Sequence, residues 1–390
     1  MSNMWFKSNN RLRTFNAQRI SSLVVTLGRW AFLSVFIYSC VSPYSQANEG
    51  FTEAIVIQGM ITDEPGPYQI VLSKTIPIAS QAISQTIVPQ GVSGAAVIIS
   101  DDQGNSEQLT EKSTGYYYTK TFQGVVGRSY SVTVSTTDGN SYKSSVQKLL
   151  PVGDFDYTSQ FVQVEDPFAG DQLNSKNGFE VSINSTLDPE QDGRVWWRTI
   201  GTYKVETYPQ DHMKWVSAGR PPVLVLVPAP PACAGTPLHP ACTCCFCWIS
   251  VFDQKPLLSD PRFISNGQIH DLKIGFVPAT RRTMYEKYVF EIQQLSVSKD
   301  VYNFWKLVQI NGSNSSNLFQ TPSPKTVGTF VAQGSTSKPV LGYFAASAIK
   351  RRYIAFSRFD VPYKIYPIDN ITDSCLETYR NSTNQKPLFW

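Results

Sequence analysis

The chain has 390 residues and a formal net charge of +4, with 34 Lys and Arg against 30 Asp and Glu. Only 16% of it is charged, and the abundance of Tyr, Phe, Val, Ile, Thr and Ser favours strands over helices. Lys7, Arg11, Arg13, Arg19 and Arg29 all precede the first acidic residue, Glu49; without residues 1–39, 29 basic side chains face 30 acidic ones, which excludes a general pull toward nucleic acid or anionic lipid.

Those five cations are followed by the apolar run "AFLSVFIYSC". A positive segment before an apolar core of about ten residues reads as a secretory signal over 1–39, too short for a span that needs about twenty. Ile37, Tyr38 and Ser39 before Cys40 resemble a bacterial lipobox, so Cys40 is the expected lipid attachment site and 40–50 a tether. An ordinary cleaved signal and an uncleaved anchor are the alternatives.

A mature length near 350 residues suggests two domains. From 51 to 150 short strands alternate with turns: "EAIVIQGMIT", "YQIVLSKT", "GAAVIIS", "SEQLTE", "YYYTKTF", "YSVTVSTT" and "YKSSVQ". In "YSVTVSTT", Val132 and Val134 point one way and their Ser and Thr neighbours the other. "DDQGN" and "TDGN" supply hairpin turns. The pattern predicts an immunoglobulin-like or transthyretin-like β-sandwich able to fold without the rest of the chain.

Residues 151–390 are expected to form a second β-rich domain. Its strands are read in "GFEVSINS", "RVWWRTIGTYKVETY", "CWISVF", "IHDLKIGFV", "KYVFEIQQLSVS", "PVLGYFAAS" and "RRYIAFSRF". One amphipathic helix is expected in "SKDVYNFWKLVQI", where Val301, Phe304, Trp305 and Val308 share a face and Ser298 caps the start. Arg281 with Arg282, and the trio Lys350, Arg351 and Arg352, read as solvated turns flanking strands.

Between these strands lies a Cys- and Pro-rich loop, 228–248, with five cysteines: Cys233, Cys242, Cys244, Cys245 and Cys247. The proline-laden flank cannot be helical. If Cys40 carries lipid, Cys375 makes the count an even six, which in an oxidising compartment suits three disulfides. Neighbouring Cys244 and Cys245 are poor partners for each other. The expected scheme bridges Cys247 to Cys375 and closes two short bridges within 233–245. Metal binding and partly free thiols remain open, although structural zinc usually takes two well-separated pairs. A redox site at Cys242 and Cys245 fits least, because it wants a single pair at a helix start.

No recognisable catalytic set accompanies these features. There is no G-x-S-x-G, H-E-x-x-H or phosphate-loop pattern, and His212, His239 and His270 stand apart in sequence. Asp101 with Asp102, and Glu165 with Asp166, read as solvated turn or connector residues. Aromatic side chains are the better binding candidates. Trp196 and Trp197 lie on opposite faces of one strand, so one of them leaves the core side unless the helix or the proline loop covers it.

Six blocks in order, "VIQGMITDEPGPYQIVLSKT", "VSGAAVIISDDQGNSEQL", "STGYYYTKTFQGVVGRSYSVTVSTTDGNSYKSSVQ", "LSVSKDVYNFWKL", "PVLGYFAASA" and "KPLFW", resemble the Bacteroidota envelope lipoprotein family termed domain of unknown function 4249. The resemblance spans about residues 51 to 390. It departs at "CLETYRNSTNQ", which replaces a glycine-rich approach to the closing motif. It implies an N-terminal domain like the carboxypeptidase regulatory sandwich and work beside a TonB-dependent outer-membrane transporter, and it supplies no catalytic residues. The expected function is therefore an outer-membrane lipoprotein, a non-catalytic accessory or binding component of nutrient uptake. It would be membrane-held through lipid, without cofactor, metal or nucleic acid. An envelope structural or assembly factor is one alternative. An envelope hydrolase built from scattered carboxylates and the few histidines is another.

Overall fold

A computed structural model of the chain describes residues 52–76, 89–163, 177–235, 242–253, 255–314, 327–334, 338–366, 371–379 and 381–390. The signal 1–39, Cys40 with its tether, Glu165, Asp166 and His239 lie outside the described residues. Residues 52–390 belong to one compact unit, and the architecture is mainly β.

The first ten strands are β1 (Ile55–Thr62), β2 (Gln69–Lys74), β3 (Gln90–Gly91), β4 (Ala96–Asp101), β5 (Ser106–Gln108), β6 (Thr110–Ser113), β7 (Tyr116–Tyr118), β8 (Ser129–Ser135), β9 (Ser141–Ser144) and β10 (Gln147–Lys148). In β8, Tyr130, Val132 and Val134 are buried while the residues between them are not, the period of two expected of a half-buried strand. After these come β11 (Phe155–Val162), β12 (Gly178–Thr186), β13 (Val195–Glu206), β14 (Met213–Ala218), β15 (Val223–Pro228), β16 (Phe246–Phe252) and β17 (Leu257–Leu258). The remainder are β18 (Gln268–Pro278), β19 (Tyr288–Ser296), β20 (Phe330–Gln333), β21 (Val340–Ser347), β22 (Ile349–Phe356) and β23 (Ser382–Thr383). Among the described residues three α-helices accompany them: α1 (Arg281–Met284), α2 (Lys299–Asn314) and α3 (Cys375–Thr378).

Two sheets form the sandwich, and each is completed from the far end of the chain. One runs β21-β1-β2-β7-β6 and the other β20-β9-β8-β4-β5. Their inner faces share a core that includes Ile57, Leu72, Val97, Val132, Tyr117 and Phe344. β21 lies parallel to β1, from Ile55 opposite Val340 to Thr62 opposite Ser347, and β20 is antiparallel to β9. Gly342 fits this pairing because its φ is +105° and a Cβ there would strike the Ile57 carbonyl. The composition change near 150 therefore does not divide the sheets: the strands within 51–150 are joined by two from 330–347.

Beyond the sandwich, β11-β12-β18 and β22-β19-β13-β16-β23 form two further sheets. They bury a common core with Val181, Ile183, Trp197, Val277, Phe290 and Ile292. A third, smaller core contains Trp196, Leu295, Val297, Val301 and Ala345, drawn from β13, β19, the β19–α2 connection, α2 and β21. Ser298 opens α2: its hydroxyl accepts from Val301 N at 3.3 Å and donates to the side chain of Gln147, so the N-cap also ties the helix to the sandwich.

Polar groups fasten the second region and its junction with the sandwich. Buried Gln294 accepts from Trp197 Nε1 and Ser185 Oγ, both at 2.8 Å, and donates to the Gly153 carbonyl at 2.9 Å. Ala348 alone separates β21 in the sandwich from β22 in the neighbouring sheet. The basic trio 350–352 is accordingly not a solvated turn. It lies within β22, where Arg351 grips Glu64 at 2.6–3.0 Å and also meets Glu291. Its carboxylate partners are distant in sequence, which hid the role. Arg281 and Arg282 likewise begin α1, capped by Thr280, whose hydroxyl accepts from Thr283 N.

Candidate functional site

Two features leave the regular architecture, a ribbon fastened by cysteines and a cleft lined by aromatic rings. The ribbon is β14 paired with β15 alone, in antiparallel register from Met213 opposite Pro228 to Ala218 opposite Val223. Directly opposed residues share a face. One face carries Met213, Trp215, Leu224 and Leu226, the other Val216, Val223, Val225 and Val227. The first is apolar apart from Ser217 and the second apart from Lys214, and both face outward: Trp215 is 66% exposed, Leu224 65% and Val223 60%. A two-stranded hairpin is at best marginal by itself. Among the described residues this one pairs with no further strand.

Its root supplies the constraint. Cys233 is bridged to Cys244 and Cys242 to Cys245, each with Cα atoms 5.6 Å apart, while Cys247 is bridged to Cys375 at 5.9 Å. Thr243 N donates to the Cys233 carbonyl at 3.0 Å, and Cys375 N to the Cys244 carbonyl at 3.1 Å. The covalent path thus runs from the exit of β15 through β16 to α3. At the entry, Ala229 N donates to the His212 carbonyl at 2.8 Å, and His212 Nδ1 lies 3.0 Å from Asp373. The segment around Cys242 and Cys245 is not helical. Among the described residues, no cluster of His, Cys, Asp and Glu is placed to hold a metal ion.

The cleft, about 350 Å³, lies where β13, the β16–β17 connection, α2 and β21 converge. Alternation along β13 sends Trp197 into the core and Trp196 to the opposite side, under α2. There Trp305 stands 4.8 Å from Trp196 and 4.9 Å from Tyr343, ring centre to ring centre. The helix therefore covers Trp196 without filling the space beside it. Trp197 is fully buried in the core. Arg198, two residues along from Trp196, holds its guanidinium 5.4 Å from the Trp196 ring centre.

Across the cleft, Asp253 accepts from both the backbone N and the hydroxyl of Thr199. Burial pushes the Asp253 carboxyl pKa up, against the downward pull of those bonds and of Arg198. Burial also raises the Tyr343 phenol. Phe252, Lys255 and Pro256 complete the rim.

The remaining candidates fall elsewhere. His270 is exposed on β18 and does not approach His212 through any bond among the described residues. Asp101 closes the β4–β5 turn by accepting from Gln103 N and Asn105 N. Spacing could have found Arg198, which follows Trp196 at the strand period. Trp305 and Tyr343 could not have been assigned to the same cleft, because only the fold brings α2 and β21 beside β13.

Among the described residues no helix is long and apolar enough to cross a membrane. The family described as Domain of unknown function (DUF4249) matches residues 41–352. Curated proteins offer no match to the chain.

Proposed function

We propose, from the premise that this chain belongs to the DUF4249 family over residues 41–352, that it is an outer-membrane lipoprotein serving as a non-catalytic accessory of a TonB-dependent nutrient transporter. Cys40 is its anchor in this reading. The observation that carries it is the β14–β15 ribbon: two largely apolar faces, interrupted by Ser217 and Lys214, held in solvent by a root of three disulfides. Exposed apolar surface of this kind gains roughly 25 cal/mol for each Å² removed from water, and contiguous patches of it mark interaction sites. The β15 edge, "VLVLV", carries none of the charges by which free edges discourage pairing. It suits a protein partner that offers a free strand and an apolar wall.

The test is purification of the tagged full chain from outer membranes. A β-barrel transporter in stoichiometric amount is expected, and Leu224→Asp with Leu226→Asp should lose it while circular dichroism stays unchanged. Recovery of the chain without any such transporter, or equal recovery with the doubly substituted ribbon, would sink the reading. Cys40→Ser should separately abolish labelling by a fatty-acid analogue, and equal label on the variant would remove the anchor.

A further inference from the structure

We propose that the cleft between β13, α2 and β21 binds a small molecule bearing a carboxylate on a planar, apolar body. The reasoning starts from an imbalance of hydrogen-bonding groups. Arg198 is half-buried and offers five N–H donors, yet among the described residues it has neither an ion-pair partner nor a hydrogen-bond acceptor; its guanidinium lies over the ring of Trp196 and feels the charge of Asp253 without bonding to it. The indole N–H groups of Trp196 and Trp305 are buried and without an acceptor. Lys255, exposed at the rim, adds a second positive charge.

The surplus is one-sided. The one carboxylate in the cleft, Asp253, has both oxygens engaged by Thr199, which explains why it does not close on Arg198. A donor withdrawn from water and left unmatched is costly, and the half-buried Arg198 borders the cleft. A ligand supplying acceptors and negative charge would satisfy Arg198, whose guanidinium fork matches a carboxylate in two parallel bonds.

The rest of the lining fixes the body of that ligand. Ile200, Phe252, Pro256, Trp305 and Tyr343 present carbon and ring edges, surfaces that favour a flat apolar group. About 350 Å³ lies at the small end of ligand pockets, which run from roughly 300 to 1,000 Å³. It fits one ring system with a short acidic arm. A sugar polymer would not be enclosed. The inference stands apart from the docking role of the ribbon, and either can fail without the other.

The experiment uses the full chain and ligand-observed saturation-transfer NMR, with calorimetry for affinity. The probes are benzoate, phenylacetate and indole-3-acetate, each beside its matched amine and alcohol. Saturable binding is expected for at least one of the acids and for none of the matched amines. Arg198→Gln should weaken that binding by about ten- to a hundredfold, the range for losing a charge-assisted bond, and Arg198→Lys by less. Trp305→Phe should weaken it while leaving the selectivity for acid over amine. If Arg198→Gln proves unfolded by circular dichroism, Arg198→Lys and Lys255→Ala carry the test. Absence of binding by all three acids would overturn the proposal, as would equal affinity for the alcohols or an unchanged affinity in folded Arg198 variants.

Discussion

Arg351 on β22 reaches Glu291 on neighbouring β19 while its other nitrogens hold Glu64 of the sandwich. Glu291 is almost wholly buried and also accepts from Gln293 Nε2 at 2.6 Å. Arg351→Met would leave that carboxylate buried without a cation. The expected loss is about 3 kcal/mol, the lower end for breaking a buried pair because Arg351 is partly exposed. Urea denaturation measures it. Adding Glu291→Leu should recover part of the loss, and full additivity of the two changes would show that they do not act together.

Glu107 on β5 is expected to make the sandwich acid-sensitive. Its carboxylate accepts from three successive backbone N–H groups, those of Lys120, Thr121 and Phe122, and from the Thr121 hydroxyl. Partial burial pushes its pKa up, but these bonds outweigh it and hold the pKa below the ordinary value of 4.5. A folded-state pKa below the unfolded one gives stability that is present above about pH 4.5 and is lost as pH falls through the folded value. Glu107→Gln should cost about 1–2 kcal/mol near neutrality and flatten the acid limb of a melting-temperature profile. A profile unchanged by the substitution would remove this role.

The bridge from Cys247 to Cys375 spans 128 residues. In the chain-entropy model a loop of that length contributes roughly 4 to 5 kcal/mol, a large share of a domain's stability. Cys247→Ser with Cys375→Ser should lower the melting temperature and expose the α3 region to amide exchange. Non-reducing peptide mapping of the unmodified chain should recover the 247–375 linkage. Recovery of Cys375 as a free thiol would exclude it.

A fragment ending at residue 150 should fail to fold as a unit. It would lack β21, the parallel partner of β1, and β20, the partner of β9, together with Phe330 and Phe344 from the sandwich core. Amide exchange on that fragment is expected to be fast throughout. Native-like protection in β1 would show that the two late strands are dispensable.

Period-two alternation made the central strands legible, including the opposite facing of Trp196 and Trp197, and the 3.6 period with Ser298 made α2 legible. The sandwich was readable as a class of fold but not as a closed set of strands. "PVLGYFAAS" looks like any buried strand, and nothing local assigns it to β1 rather than to the sheet containing β22. The ribbon escaped notice for a related reason. "VLVLV" lies between prolines and near the cysteines, so turn signals dominated, and five consecutive apolar residues do not show the alternation that marks a strand with one wet face. At the cleft, Trp196 could be singled out from its own strand, whereas the unmatched donors around it follow from tertiary contacts alone.

The parallel pairing of β1 with β21 also sets an order of assembly. Residues 55 and 340 are 285 positions apart, so closing that contact must wait until nearly the whole chain has left the ribosome, and non-local pairings of this kind slow folding. Until then one edge of β1 has no neighbour, and the backbone groups along "IVIQGMIT" are open to pairing with another chain. Whatever holds the nascent protein must therefore shield its first strand for longest, and truncations late in the sequence will be felt at its beginning.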